Sequence, residues 1–182
     1  MESNQTLNTN RLKLEENDFL EKLRHSLDLR LDDEGRFFYE GDLVAHPKVN
    51  ALFHQSIHIH PETKEAYLKI AQQIAYFRVD SFPFFVTQFE LTSQNEIKIT
   101  LNTQEVLINA INRIDSVGLE KIYITLKDQR KCGVLRKARD QMLVFLEETT
   151  HTGQESQFVL CIANQIFKIT EVSSLDELKI KD

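Results

Sequence analysis

The sequence contains no tryptophan and has only two cysteines and five glycines among its 182 residues. Five glycines are too few for an extended phosphate cradle, and neither G-x-G-x-x-G nor a P-loop motif is present. Cys132 and Cys161 form no C-x-x-C pair, so we expect free thiols rather than a structural disulfide. Without tryptophan, the twelve phenylalanines are the main aromatic filler.

Long apolar runs are also missing. No stretch approaches the roughly 20 residues that span a bilayer, and the polar start MESNQTLNTN lacks the features of a secretory signal. The formal net charge of -6 argues against general nucleic-acid binding, which needs a surplus of lysine and arginine. We therefore expect a soluble cytoplasmic protein that binds neither membranes nor nucleic acids.

Catalytic motifs are absent as well. There is no G-x-S-x-G, and no histidine is placed by spacing beside either cysteine as a base. We predict no catalytic residues and no cofactor, and a non-enzymatic protein is favoured over an enzyme.

Periodicity and turn residues predict the order of elements. Helices are predicted over 17–28, 47–56 and 133–148, with a last turn capped near 174–177. Strands or hairpins are predicted over 29–44, 57–60, 65–70, 73–80, 83–109, 121–128 and 157–170, with helix as an alternative over 62–77.

Strands do not alternate regularly with helices in this order, so a Rossmann-like sheet is not expected. We predict an α+β fold with mostly antiparallel strands and packing helices, built as two structurally similar halves that share one core. The predicted divisions are a polar N-terminal segment with a helix (1–28), two α+β halves (29–82 and 83–170) and a tail (171–182).

The stretch FRVDSFPFFV (77–86) places four phenylalanines around Pro83. Proline lacks an N–H and disfavours helix at the preceding residue, so Pro83 is expected where one strand ends and the next begins. We predict that at least one of Phe82, Phe84 and Phe85 is fully buried. An exposed patch or ligand wall is the alternative.

Three histidines, His54, His58 and His60, lie close together in HQSIHIH. Three imidazoles could hold Zn²⁺, but no fourth ligand stands at a recognisable spacing and no pair has the H-E-x-x-H pattern. We predict no metal site.

Asp32, Asp33 and Glu34 precede Gly35. Paired carboxylates could do chemistry, but a hairpin turn needs the same residues for its own geometry, and we favour the turn.

Basic residues crowd the start of the helix predicted over 133–148. They are Lys127, Arg130, Lys131, Arg136, Lys137 and Arg139. A helix N-terminus offers free N–H groups and a positive dipole end, and Gly133 would allow close approach of a ligand. A solvated basic face is the alternative. The predicted ligand-binding residues are Lys131, Gly133, Arg136 and Arg139.

Several segments, in this order, resemble the bacterial family called domain of unknown function 1285. They are DEGRFFYEGDLVAHPKVNALFHQSI, AYLKI, FRVDSFPFFV, LNTQEVLI, CGVLRKARDQMLVFL and FVLCIANQIFKI, within 29–170. Two departures stand out: the family's acidic pair is reduced to Asp80, and the loop before the last helix lacks its glycine-rich arrangement. The resemblance implies an α+β fold with two similar halves and a role in signalling or ligand binding.

Three functions follow as hypotheses. The first is a ligand-binding or signalling module that binds a small anionic ligand or an acidic protein partner. The second is an enzyme on a small anionic substrate, with Arg136 or Arg139 as clamp and Asp80 as base. The third is an interaction adaptor that uses edge strands or the phenylalanine patch. A homodimer is compatible with each of them.

Overall fold

The computed structural model describes residues 24–118, 120–149 and 157–180. Within these ranges the chain is mostly strand, with three helices, so the α+β class is confirmed. None of the helices in the described ranges is long and apolar enough to cross a bilayer. The described residues divide into two compact units, one of residues 24–31 and 37–78 and the other of residues 32–36 and those from 79 onwards.

Between Leu29 and Tyr76, the first unit contains two small antiparallel sheets and one helix. Its elements are β1 (Leu29–Leu31), β2 (Phe37–Tyr39), β3 (Asp42–Leu43), α1 (Pro47–Gln55), β4 (Ile57–Ile59), β5 (Ala66–Ile70) and β6 (Gln73–Tyr76). The short strand β7 (Arg78–Val79) spans the boundary between the units. Pro47 stands in the first turn of α1, where a missing N–H costs nothing.

The second unit is built on one nine-stranded sheet, in the order β10-β9-β8-β13-β12-β11-β16-β15-β14. Its elements are β8 (Phe84–Leu91), β9 (Ile97–Leu101), β10 (Val106–Ile108), β11 (Ile111–Val117), β12 (Lys121–Leu126), β13 (Lys131–Val134), α2 (Arg136–Leu143), β14 (Leu146–Thr149), β15 (Gln157–Ile162), β16 (Gln165–Glu171) and α3 (Leu175–Ile180). The sheet is mixed, because β13 runs parallel to β8 and β11 runs parallel to β16.

Most of the predicted elements are confirmed. The hairpin over 29–44, the helix after Pro47, the strands over 57–60 and 65–70, the meander over 83–109 and the closing hairpin all form. The helical alternative over 62–77 is wrong, because β5 and β6 pair there. The helix predicted over 17–28 falls mostly outside the described residues. The predicted domain boundaries and the similarity of the two halves stay predictions.

The helix predicted over 133–148 is wrong in both bounds. It begins at Arg136 and ends at Leu143, while strands β13 and β14 occupy residues 131–134 and 146–149. Strand β13 lies between β8 and β12 and fills both hydrogen-bonding edges, so sheet pairing overrides the helical pattern. Gly133 therefore belongs to a strand.

Strand β11 was not predicted. Its pairing with β12 shifts between Ile111 and Arg113, and this bulge breaks the alternation that marks a strand in sequence. Asp115 also obscures the pattern, because an aspartate in the sequence does not suggest a buried strand position. In the structure Asp115 is buried, and both of its carboxylate oxygens accept hydrogen bonds from Arg113 Nε, at 2.8 and 2.9 Å.

The phenylalanine stretch is core. Phe82, Phe84 and Phe85 are all buried, as predicted, and the exposed-patch alternative is wrong. Pro83 directly precedes β8, where its carbonyl accepts a hydrogen bond from Asn102 Nδ2 at 3.1 Å. The Asn102 Oδ1 atom in turn accepts the backbone N–H of Phe85 at 3.0 Å, which fixes the start of the strand.

Candidate functional site

A charged cleft of about 540 Å³ opens in the second unit. Its walls are the turn 32–36, the beginning of β12, the end of β13 and the first turn of α2. The cations that line it are Lys121, Arg136, Lys137 and Arg139, and the acids are Asp33, Glu34 and Glu120. Cations outnumber carboxylates by four to three, so the lining carries a small positive excess.

The turn 32–36 is built by Asp32. Its Oδ1 atom accepts the backbone N–H groups of Glu34 at 3.0 Å and Arg36 at 2.7 Å, and Gly35 adopts a φ of +73°. The Arg36 guanidinium closes the turn on Asp32 Oδ2 at 2.8 Å. The turn interpretation of this acidic run is therefore confirmed for Asp32, which leaves the side chains of Asp33 and Glu34 on the cleft wall.

An ion pair joins two walls of the cleft. Lys121 Nζ donates to Asp33 Oδ2, and the two side chains are 53% and 35% exposed. This hydrogen bond lowers the pKa of Asp33 and raises the pKa of Lys121. Both groups therefore remain charged near neutral pH.

The first turn of α2 forms the basic wall. The first N–H groups of any helix lack intrahelical partners. In α2 no side chain compensates for this, because the N-cap residue Leu135 makes no side-chain capping bond and the first turn contains no acidic residue. Arg136 is 87% exposed, and its Nε atom lies 3.9 Å from Asp140. An exposed pair at that distance holds the guanidinium only weakly.

Gly133 lines the cleft for a different reason from the one predicted. It pairs with Phe85 on β8, and a Cβ placed on Gly133 would lie 2.8 Å from Cε1 of the Phe85 ring. The close approach that this glycine permits is made by a core phenylalanine and not by a ligand.

Arg139 and Lys131 make structural contacts. Arg139 is 23% exposed and its Nη1 atom donates to the carbonyl oxygen of Glu120, which ties α2 to the start of β12. Lys131 Nζ donates to the carbonyl oxygen of Leu178 in α3 at 2.7 Å. Lys131 is not among the described residues that line the cleft. The other three predicted residues, Gly133, Arg136 and Arg139, do line it.

Asp80, the base of the enzyme hypothesis, is not among the described residues that line the cleft either. Its carbonyl oxygen accepts a hydrogen bond from Lys179 Nζ at 2.9 Å. The constellation of a clamp and a base that the enzyme hypothesis requires is therefore not assembled in this cleft.

Arg130, part of the basic run, is also engaged elsewhere. It binds Glu105 through both terminal nitrogens at 2.5 and 2.9 Å and Asp128 through Nε at 2.9 Å. These bonds join the β9–β10 and β12–β13 turns and lower the pKa of both carboxyl groups.

The three histidines of the first unit have local roles. His60 Nδ1 accepts the backbone N–H groups of Glu62 at 3.3 Å and Thr63 at 3.1 Å, while His58 stacks on Tyr67 and His54 lies against Phe37. In the described ranges no group of three or more histidine, cysteine, aspartate or glutamate residues could hold a metal ion.

Sequence reasoning missed Lys121 and Tyr123. Both belong to β12, whose sequence KIYITL marks a strand but gives no sign of which residues face a cleft. The pairing of Lys121 with Asp33 joins positions 88 apart, and no local pattern carries that information.

Comparisons with known proteins place the fold. No family model matches the sequence, and no curated protein matches it. A crystal structure of a DUF1285 family protein from Silicibacter pomeroyi DSS-3 is similar, with a TM-score of 0.56 and 18% identity over 84% of this chain and 83% of that one. A second, from Shewanella baltica OS155, has a TM-score of 0.43 and 14% identity over 65% of this chain and 92% of that one. The predicted resemblance to domain of unknown function 1285 is thus confirmed at the level of the fold.

Proposed function

We propose that this chain is a non-enzymatic ligand-binding module that holds a small anion in the charged cleft. The observation that carries the proposal is the convergence of Lys121, Arg136 and Lys137 with the uncapped first turn of α2 on one cavity. Charged side chains and free N–H groups acting on one point bind an anion more strongly than neutral donors do.

The size of the cavity fits a small molecule. Ligand pockets in proteins are typically about 300–1,000 Å³, and this cleft has about 540 Å³. A macromolecular acidic partner would instead need a broad basic surface, whereas the overall charge of the chain is -6.

The cellular location and the role of the protein form part of the same proposal. We place the protein in the bacterial cytoplasm with a role in signalling, as the family resemblance implies. Free thiols at Cys132 and Cys161 are compatible with a reducing compartment.

A thermal-shift screen of the full chain tests the binding proposal. Inorganic phosphate, succinate and nucleotides serve as probes, since a ligand at a hundred times its Kd stabilises the folded state by about 2.7 kcal/mol. We expect at least one of these anions to raise Tm.

A charge-reversed pair of variants locates the site. Arg136→Glu with Lys137→Glu should abolish the Tm shift, whereas Lys127→Glu with Lys168→Glu, exposed in the same unit and equal in charge change, should retain it. Arg139 is left intact because it binds the Glu120 carbonyl. Equal loss in both variants would mean general charge attraction, and retention in both would place the site elsewhere.

A further inference from the structure

A second cavity, of about 400 Å³, lies in the same unit as the charged cleft, and we call it the apolar cavity. Its volume falls within the range of about 300–1,000 Å³ that is typical of small-molecule sites. In its described lining the one charged group is Glu171. The large apolar side chains of that lining are those of Ile122, Leu143, Leu146, Phe158 and Ile169. The cavity therefore suits an apolar group and offers an anion no cation.

The two cavities lie at the same end of the nine-stranded sheet. The charged cleft is formed where β13 ends and β12 begins, and the apolar cavity where β11 and β16 end and β12 and β15 begin. These ends coincide because β12 is antiparallel to both β11 and β13, while β11 runs parallel to β16. Ile122 lines both cavities, so they adjoin at this side chain.

Strand pairing places residues of both cavities on one face of the sheet. Ser116 lies opposite Ile122 on β12 and opposite Glu171 on β16. Because side chains alternate between the faces along a strand, Ile169 shares this face with Glu171. By the same alternation Val134, which lines the charged cleft on the neighbouring strand β13, shares it too. A row of mainly apolar side chains therefore crosses four adjacent strands, from the charged cleft into the apolar cavity.

Helix α2 borders both cavities as well. Arg136 and Lys137, at its beginning, line the charged cleft, whereas Leu143, its last residue, lines the apolar cavity. At a rise of 1.5 Å per residue, the two ends of this helix lie roughly 10 Å apart. One extended small molecule, such as decanoate, can cover that distance. A single ligand can therefore contact the cations of one cavity and the apolar wall of the other.

The charges of the two cavities determine the charge and the direction of such a ligand. The described lining of the charged cleft has four cations and three carboxylates, and this small excess matches a single negative charge. A polyanion would approach Asp33, Glu34 and Glu120. In the apolar cavity Glu171 would repel an anionic group. The anionic group of the ligand therefore belongs in the charged cleft and its apolar part in the apolar cavity.

We infer that the ligand is an amphiphilic monoanion, a carboxylate on an alkyl chain, whose chain passes Ile122 into the apolar cavity. The inference rests on the proposed anion-binding function of the charged cleft and names the class of ligand. Leu146 and Phe158 are 37% and 44% exposed, and an alkyl chain in the cavity would remove part of this apolar surface from water. Affinity should therefore depend on the length of the chain as well as on the charge.

Calorimetric titration of the full chain with butanoate, hexanoate, octanoate and decanoate tests the dependence on chain length. Each methylene group that leaves water should strengthen binding about fourfold, so octanoate should bind far more tightly than butanoate. Octan-1-ol has the same chain length without the charge. It should bind at least about tenfold more weakly than octanoate, because it makes no charge-assisted contact with the cations of the charged cleft.

A pair of variants tests where the chain lies. Phe158→Glu places a carboxylate in the apolar cavity and should weaken octanoate binding at least about tenfold while leaving butanoate binding unchanged. Ile166→Glu is the matched control, since Ile166 is 74% exposed on the same hairpin. Leu160 lies opposite Phe167, so Phe158 shares their face and Ile166 points to the other one. The control should bind both carboxylates as the unaltered protein does.

Each contrary outcome overturns a defined claim. If butanoate and octanoate bind equally, or if Phe158→Glu leaves octanoate binding unchanged, the chain does not occupy the apolar cavity and the inference is wrong, although the proposed anion site stands. Octan-1-ol binding as tightly as octanoate would also overturn it, because the carboxylate is then not recognised. The chain-length series uses the unaltered protein and so decides the question even if Phe158→Glu does not fold. If none of these carboxylates and none of the simple anions binds, the proposed function itself is wrong.

Discussion

Replacing Gly133 by alanine tests how tightly the second unit is packed behind the charged cleft. The new Cβ would lie 2.8 Å from Cε1 and 2.9 Å from Cδ1 of the Phe85 ring, distances that folded proteins do not tolerate. The ring cannot simply withdraw, because Phe85 is 1% exposed and its opposite edge is also packed: a Cβ placed on Gly35 would lie 3.5 Å from Phe85 Cδ2.

Overpacking of this kind costs about 1–3 kcal/mol. Alanine returns about 0.4–1 kcal/mol by restricting the unfolded chain, so the expected net loss is roughly 1–2 kcal/mol. We would measure it by urea denaturation followed by circular dichroism.

A second background isolates the contact. In Phe85→Leu the ring is gone, so Gly133→Ala should there be nearly neutral, with a coupling of at least about 0.5 kcal/mol between the two changes. An equal cost of Gly133→Ala in both backgrounds would refute the reasoning, and so would a loss below about 0.5 kcal/mol in the original chain.

Three further predictions concern other contacts. Asp32→Ala should lower stability by about 1–3 kcal/mol in a thermal melt, because two N–H groups of the turn lose their acceptor, whereas Asp32→Asn should cost less. The bonds from Arg130 lower the pKa of Glu105 in the folded protein. The pair should therefore stabilise the fold fully above the pKa that Glu105 has in the unfolded chain, and this stabilisation should be lost as the pH falls through the lower pKa of the folded state. If the free energy of unfolding of Arg130→Gln changed with pH as steeply as that of the original chain, this prediction would be contradicted. Burial raises the pKa of Cys132 to about 12, so iodoacetamide at pH 8 should leave it unmodified in the folded protein and react in urea, and rapid native labelling would show the strand to be open.

Local chemistry in the sequence predicts much of the first unit and of the meander. The Asp-Glu-Gly turn, Pro47 before a helix and the phenylalanines around Pro83 each act on their own neighbours, so short windows are enough. The error over 133–148 arose where a short window is insufficient. Residues 131–134 form a strand because β8 and β12 flank them in the sheet. Strand β8 ends at Leu91, far outside any short window around Lys131.

The candidate site shows the same division. The exposed Arg136 and Lys137 could be found from the sequence, because a basic run beside a helix start is a local feature. Their neighbours across the cleft could not. Asp33 reaches Lys121 across 88 positions, and Tyr123 faces the cleft because its strand pairs with Gly133.

The distinction matters for the proposed function, since the residues that sequence reasoning found account for only one wall of the cleft. Arg136 is 87% exposed and its Nε atom lies 3.9 Å from Asp140, so its guanidinium is held only weakly. The opposite wall holds the Lys121–Asp33 ion pair, whose two residues come from distant parts of the sequence. The mixed charge of the cleft is therefore a product of folding and not of any one run of basic residues.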